Sequence, residues 1–365
     1  MGKKILLITT GGTISQEHNK DGTAVTTEEK LSKTLLTGID SKKESYGIAS
    51  ITSIDAFNID SSNLTPDRWK TLCDIIIEKY DDFDSFIITH GTNTLGYTCA
   101  ALSFAFSKIG KPIILTGSQV PWGEYGADAE MNLENAFRVA ARSDQLRGVL
   151  AVFGSHIITG TRVKKTTEFD YDAFKTFNSK ASLGRIGRVL RFDPDSVNEH
   201  NIKYGIARKK YDILCSSMFN MNDIVSLTEF PGMNKHFFER LVEVGAKGFI
   251  LRSSGAGDPN IGDENDKIDN LRDAFKYLYE KKIPIVVTTQ APDGVASMNV
   301  NEPGVKAREL GAIPAWDMSM EAMTTKLGWL LAQGFDYYNI VRQMSENIRG
   351  ELNEKLDVDD KKPNS

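Results

Sequence analysis

Three segments of this chain set hydroxyl side chains beside glycine at the end of an apolar run. They are Thr9-Thr10-Gly11-Gly12-Thr13-Ile14, Thr89-His90-Gly91-Thr92-Asn93-Thr94 and Thr116-Gly117-Ser118-Gln119. Glycine lets a backbone approach a ligand closely and exposes its N–H groups. A neighbouring hydroxyl can then act as a nucleophile, and N–H groups, here those of Gly12 and Gly91, can hold an oxyanion. Gly and Thr also make ordinary strand-to-helix turns. Two loops with Thr directly after Gly favour chemistry over turns alone. His90 lies inside one of them and is read as a structural residue rather than a base.

Such loops need a scaffold that delivers them to one place. Short apolar runs at Ile5–Thr9, Ser85–Thr89, Pro112–Leu115 and Gly148–Phe153 read as strands of a parallel sheet covered on both faces. In open parallel sheets, ligands bind beyond the carboxyl ends of the strands. Thr65-Pro66-Asp67 predicts a helix start with a capping hydroxyl and a first-turn proline. Helical period continues from Leu95 to Ile109 and stops at Gly110, and a third helix is expected from Asp128, its cap, to Arg142. Residues 169–211 read as largely irregular. A second set of strands (Ile224–Leu227, Gly248–Leu251, Pro284–Thr288) and helices (Leu271–Glu280, Met320–Gln333) follows. The expectation is an α/β protein of two α/β domains with mainly parallel sheets: residues 1–195, a linker at 196–215, and residues 216–365.

The 365 residues fit that two-domain division. A net charge of -5 without a basic cluster argues against a nucleic-acid partner. Cys73, Cys99 and Cys215 form no paired spacing, which argues against a disulfide framework or zinc site and fits a reducing, cytoplasmic compartment. The opening apolar run is too short for a signal peptide, and no run reaches the roughly 20 residues that span a bilayer. No phosphate-binding Gly-Lys-Ser/Thr loop, H-E-x-x-H or G-x-S-x-G occurs.

Thr10-Gly11-Gly12-Thr13-Ile14 resembles the first signature of the bacterial L-asparaginases, and His90-Gly91-Thr92-Asn93-Thr94-Leu95 resembles the second. The likeness continues in order through Leu115–Gln119, Gly160–Thr166, Arg252–Gly257 and Asp317–Ala322. The ending Asn347–Leu352 resembles the cytosolic (type I) branch. The resemblance implies an asparaginase-like fold, a homodimer or homotetramer, a small-molecule amide substrate, and no metal or organic cofactor. It implies that Thr13 attacks the side-chain amide, with Thr92 and Lys165 assisting. Ser61 and Ser62 match substrate-carboxylate contacts.

Three positions depart from the family pattern. The motif aspartate, which in the family meets the substrate α-ammonium near the lysine, is Asn93 here. Asn keeps the shape and the hydrogen bonds but not the charge. Asp258 stands where the family has Asn in a Gly-Ala-Gly-Asn motif reached from a neighbouring subunit, and could restore that charge. The lid from Ser15 to Val25 lacks the usual tyrosine, for which Glu17, His18 or a residue from elsewhere, Tyr125 being one option, would have to stand in. Some type I members also carry an effector site of arginine and cysteine; Arg252 matches the first and Ala291 occupies the place of the second.

Three functions remain open on these residues. The first is hydrolysis of asparagine to aspartate and ammonia. The second is the same chemistry on a modified or N-blocked amide, and the third is a non-catalytic paralogue that binds a small ligand. A subunit of a tRNA-dependent amidotransferase ranks below these, because such subunits carry an additional amino-terminal domain and this chain opens on the catalytic strand.

Overall fold

The computed structural model describes residues 2–18, 24–26, 36, 39–178, 182–205, 211–213, 219–262 and 270–353, with side chains described outside 15–18, 24–26, 107 and 211–213. The chain divides into two compact units, Met1–Leu214 and Cys215–Ser365. Both are built on mostly parallel sheets flanked by helices.

The first unit holds an eight-stranded sheet. In chain order its strands are β1 (Lys3–Gly11), β2 (Ile48–Ile59), β3 (Ser85–Thr89), β4 (Pro112–Thr116), β5 (Gly148–Phe153), β6 (His156–Thr159), β7 (Gly184–Ile186) and β8 (Leu190–Phe192). Their spatial order is β8-β7-β6-β5-β4-β3-β1-β2. The strands β1 to β5 run parallel, and β6 to β8 add an antiparallel edge. Continuous apolar runs in β1, β3, β4 and β5 follow from burial on both faces; every residue of β3, β4 and β5 is buried. One face packs Ile5, Leu7, Ile87, Ile114, Leu150 and Val152 against Leu133, Ala136 and Phe137 of a helix, Ala129–Ala140.

Register places the three candidate loops together. Thr9 pairs with Thr89, and Thr89 pairs with Thr116. From β1 the chain departs toward β2 on one side, and from β3 toward β4 on the other. The crevice between β1 and β3 is thus a topological switch point, where open α/β sheets bind ligands.

The helices of this unit are α1 (Pro66–Glu78), α2 (Leu95–Ala105), α3 (Ala129–Ala140) and α4 (Pro194–Lys203). Pro66 opens α1, as expected, but the Thr65 hydroxyl makes no cap bond. Asp128 does not cap α3 through its side chain either. Its carboxylate instead accepts from the N–H groups of Gln119 and Val120, tying down the loop after β4. The helix expected to reach Ile109 ends at Ala105, where Phe106 turns extended and Phe106–Ile109 pairs antiparallel with Tyr211–Ile213. The described residues between 169 and 205 carry more regular structure than expected. They include β7, β8, a strand at Phe174–Thr176 and α4, which lies across the stretch read as the start of the linker. Asp193 caps α4 from the Ser196 N–H, and Pro194 sits in its first turn.

The second unit has a four-stranded, all-parallel sheet in the order β9 (Ile224–Thr228), β10 (Gly248–Ser253), β11 (Ile285–Thr289), β12 (Ile313–Pro314). Its core joins Phe249, Leu251 and Val287 to Phe238 of α5 (Lys235–Glu243) and to Ala274, Phe275 and Leu278 of α6 (Arg272–Glu280). Helices α7 (Glu302–Glu309), α8 (Met320–Ala332) and α9 (Tyr337–Met344) complete it. Among the described residues no helix is long and apolar enough to cross a membrane.

Candidate active site

The loops after β1, β3 and β4 interlock through glycine. Gly12 has a φ of 83°, and a Cβ there would collide with the Gly91 backbone. On Gly91, a Cβ would lie 2.6 Å from Ser61 Oγ, and on Gly117 it would strike the His90 carbonyl. Side chains at these three positions would force the loops apart. The close approach is therefore the physical reason for glycine there, beyond the positive φ of Gly12. Hydrogen bonds complete the joint: Thr10 Oγ1 donates to Thr89 O at 2.8 Å, and the His90 N–H donates to Thr116 O at 2.8 Å.

His90 belongs to this framework. Trp69 Nε1 donates to Thr98 Oγ1 at 3.0 Å, and Thr98 Oγ1 lies 2.9 Å from His90 Nε2. His90 Nδ1 lies 2.8 Å from Gly91 O. The consistent arrangement has Thr98 donating to Nε2 and Nδ1–H donating to Gly91 O, a neutral imidazole. Burial pushes its pKa down to about 4, against a smaller upward pull from the Gly91 carbonyl. A fully buried neutral ring bonded at both nitrogens orients the Gly91 peptide.

A polar cavity of about 150 Å³ opens at the joint. Gly12, Thr13, Asp60, Ser61, Gly91, Thr92, Asn93, Gln119, Lys165 and Glu168 line it. It thus gathers Gly12, Thr13, Ser61, Gly91, Thr92, Asn93 and Lys165 from the residues expected to form the site. Ser62 lies beside it, its Oγ accepting from Asn93 Nδ2 at 2.9 Å. Ser61 is buried at the start of a 3-10 turn, Ser61–Asn63, which Asp60 caps through the Ser62 N–H at 2.7 Å. Thr94 Oγ1 donates to Ser61 O at 2.8 Å, joining this turn to the loop after β3.

Lys165 arrives from a different direction. A two-stranded ribbon pairs Val163–Lys165 with Phe174–Thr176, and buried Phe174 packs on Phe153 at 4.8 Å between ring centroids. The ribbon ends with Lys165 Nζ 2.9 Å from Thr92 Oγ1, 3.4 Å from Asn93 Oδ1 and 2.6 Å from Glu168 Oε2. An ammonium has three protons, and each finds an acceptor here.

Other expectations are met differently. The Gly12 N–H, expected as an oxyanion donor, donates to Ile59 O at 3.1 Å and is already spent. Asp258 sits in the second unit, in a turn after β10; its Oδ2 accepts from the Ala256 N–H at 3.2 Å and from Asn301 Nδ2 at 2.7 Å. Tyr125 is fully exposed and is not among the lining residues of the cavity. The lid position lies outside the described residues at 19–23, as do the side chains of Glu17 and His18. Asp60, Gln119 and Glu168 line the cavity without having been singled out as site residues. Gln119 has a buried Nε2 with no hydrogen-bond partner among the described residues, a donor left for a ligand oxygen. No group of three or more metal-ligating side chains occurs among the described residues.

Residues 4–197 match the family model "Asparaginase, N-terminal", and residues 223–344 match "Glutaminase/Asparaginase C-terminal domain". The chain belongs to the asparaginase family. Its family relatives and structural neighbours make it an asparaginase-type amidohydrolase. L-asparaginase 1 of Escherichia coli (strain K12) is 33% identical over 294 residues, covering 80% of this chain and 82% of that one. A subunit of the glutamyl-tRNA(Gln) amidotransferase of Thermococcus kodakarensis is 30% identical over 358 residues, covering 95% of this chain and 76% of that one. The crystal structure of L-asparaginase I from Vibrio cholerae superposes with a TM-score of 0.81 at 26% identity, covering 97% of this chain and 100% of that one. The family's two-domain, mainly parallel architecture is the one described above.

Proposed function

We propose that this protein hydrolyses the side-chain amide of L-asparagine to aspartate and ammonia, with Thr13 as nucleophile. The observation that carries the reading is the Lys165–Thr92 contact of 2.9 Å on the wall of a cavity that Thr13 also lines. A hydroxyl is a weak nucleophile until a neighbour takes its proton. In this reading Thr13 Oγ attacks the amide carbon while its proton passes to the Thr92 hydroxyl, which the Lys165 ammonium holds in place by donating to it. That proton is delivered to the departing nitrogen, which leaves as ammonia. Water then attacks the acyl-enzyme ester, releasing the acid and restoring the Thr13 hydroxyl. The Gly91 N–H and Gln119 Nε2 are the donors offered to the amide oxygen, since the Gly12 N–H is engaged. Ser61 and Ser62 receive the substrate carboxylate. The buried thiols of Cys73 and Cys99 support a reducing, cytoplasmic setting, and the family likeness supports a homodimer or homotetramer, with Asp258 presented to a neighbouring site.

A second reading keeps the chemistry and changes the amide. Asn93 is neutral, and its amide bridges Ser62 and Lys165. That arrangement also suits a substrate whose α-amine is blocked or absent. The test is ammonia release from L-asparagine and from N-acetyl-L-asparagine, with Thr13→Ala as control. Release from L-asparagine that Thr13→Ala abolishes supports the first reading, and release from the acetylated amide alone supports the second. No release from either, with a small ligand still bound, replaces both with a non-catalytic paralogue.

A further inference from the structure

The cavity carries more charge than its motifs suggest. Glu168 lines it and holds Lys165 Nζ at 2.6 Å, three residues along the same ribbon turn. Asn93 supplies hydrogen bonds there but no charge. Among the described residues the carboxylates on the lining are Asp60 and Glu168. Asp60 is committed to capping the turn at Ser61–Asn63 through the Ser62 N–H. Asp258 lies in the second unit, where its Oδ2 is held by the Ala256 N–H of its own turn and by Asn301 Nδ2. Glu168 is constrained least: its side chain is 67% exposed and its bond is an ion pair with Lys165. Solvent screens the pair on the Glu168 side, so that carboxylate redirects at little cost although Lys165 itself is largely buried.

Size makes that freedom matter. In a space of about 150 Å³, any cationic group admitted beside the scissile amide comes close to the Lys165 ammonium. Like charges so placed repel, and a mobile carboxylate between them relieves the repulsion. We infer that Glu168 is the specificity-determining carboxylate of this cavity, pairing with Lys165 in the resting site and supplying the counter-charge for the α-ammonium of a free amino-acid amide. The inference rests on the amidohydrolase reading above. It moves the missing charge from position 93 to the lysine's own ribbon, within the same unit.

The test separates binding from turnover. Isothermal titration of Thr13→Ala protein with L-asparagine, and with succinamate, which has the amide but no α-amine, reads the discrimination between them. Adding Glu168→Gln is expected to weaken L-asparagine about tenfold, roughly 1.4 kcal/mol, and to leave succinamate within about twofold. Adding Asn93→Asp to that protein is expected to restore L-asparagine binding, which a merely structural role for Glu168 would not predict. Equal weakening of both ligands, or of neither, overturns the inference. Ammonia release by the parent is measured alongside. Release with an unchanged binding ratio sinks the role of Glu168 and leaves the amidohydrolase standing. No release together with no binding of either probe removes the proposed function and this inference with it.

Discussion

Lys165 and Thr92 stand 73 residues apart in the chain and 2.9 Å apart at Nζ and Oγ1. The contact joins an antiparallel ribbon to a loop from the parallel sheet, two elements that share no local sequence signal. Its consequence is kinetic. Lys165→Met keeps much of the side-chain length and removes the charge and every donor. The expected outcome is a fall of roughly 10² to 10⁴ in kcat for ammonia release, the range of a positioned proton-transfer group. Thr92→Val should fall in the same range. The double variant should lose little more than either single one, because groups acting as a unit are not additive. Additive losses in a coupled ammonia assay would mean that the two residues act separately.

Gly12 and Gly91 carry the second prediction. Gly12→Ala places a methyl group against the Gly91 backbone in a conformation that L-residues rarely adopt. The loops must separate, and Thr13 moves with them. Misplacement of about 1 Å at a reacting group can cost roughly 10²-fold in rate. The expected result is a protein that keeps its circular dichroism and loses most of its activity. Gly47→Ala is the control: that glycine has a φ of 78°, but no neighbour lies within 4 Å of a Cβ placed there. It should show backbone strain in its melting temperature without the catalytic loss.

Much of this was legible in the chain, for identifiable reasons. Strands β3 and β5 match their apolar runs because burial on both faces leaves little freedom of residue type. The meeting of Thr13 with Thr92 follows from loops at the carboxyl ends of neighbouring strands. The failures are equally physical. Phe106 leaves the helical course to pair with a strand about a hundred residues later, a contact that periodicity cannot register. Asp128 carries a helix-cap residue type, yet its carboxylate is bound by the Gln119 and Val120 N–H groups. Glu168 carries no motif signal of its own, and only the folded ribbon sets its carboxylate on Lys165. The spent N–H of Gly12 depends on Ile59, in a different strand.

Two buried imidazoles predict how stability varies with pH. Burial pushes His90 and His200 down to about 4 from an ordinary 6.5, in each case against a weaker upward pull from a backbone carbonyl. The unfolded chain therefore binds more protons than the folded one between about pH 6.5 and 4. Stability rises with pH across that window; the contribution is complete above 6.5 and is lost as pH falls toward 4. Each histidine accounts for roughly 3–3.5 kcal/mol at most on a scale of 1.36 kcal/mol per pKa unit. Urea unfolding at pH 4.5, 5.5 and 7 measures the slope. In His200→Gln it should flatten by about half of the two-histidine share; an unchanged slope would rule out His200 as a source.

The last prediction concerns Lys326 and Glu351, an ion pair of 2.6 Å with neither side chain exposed. Burying two charges is costly, and their attraction offsets the cost only if every remaining donor and acceptor is used. Here that condition is met. Lys326 also donates to Met344 O and Glu346 O, and Glu351 also accepts from the N–H groups of Ile348 and Arg349. Burial works against the Glu351 carboxylate, but Lys326 and those N–H groups outweigh it and hold its pKa below the ordinary range. The pair ties the segment after α9 to the buried face of α8. Glu351→Ala leaves an ammonium buried without its counter-charge and should cost about 3–5 kcal/mol in urea unfolding of the second unit. Replacing both residues, Lys326→Met with Glu351→Leu, removes the charges together and should recover much of that loss. If the double variant is as unstable as Glu351→Ala, the stability comes from the backbone bonds of the Asn347–Leu352 segment rather than from the charge pair.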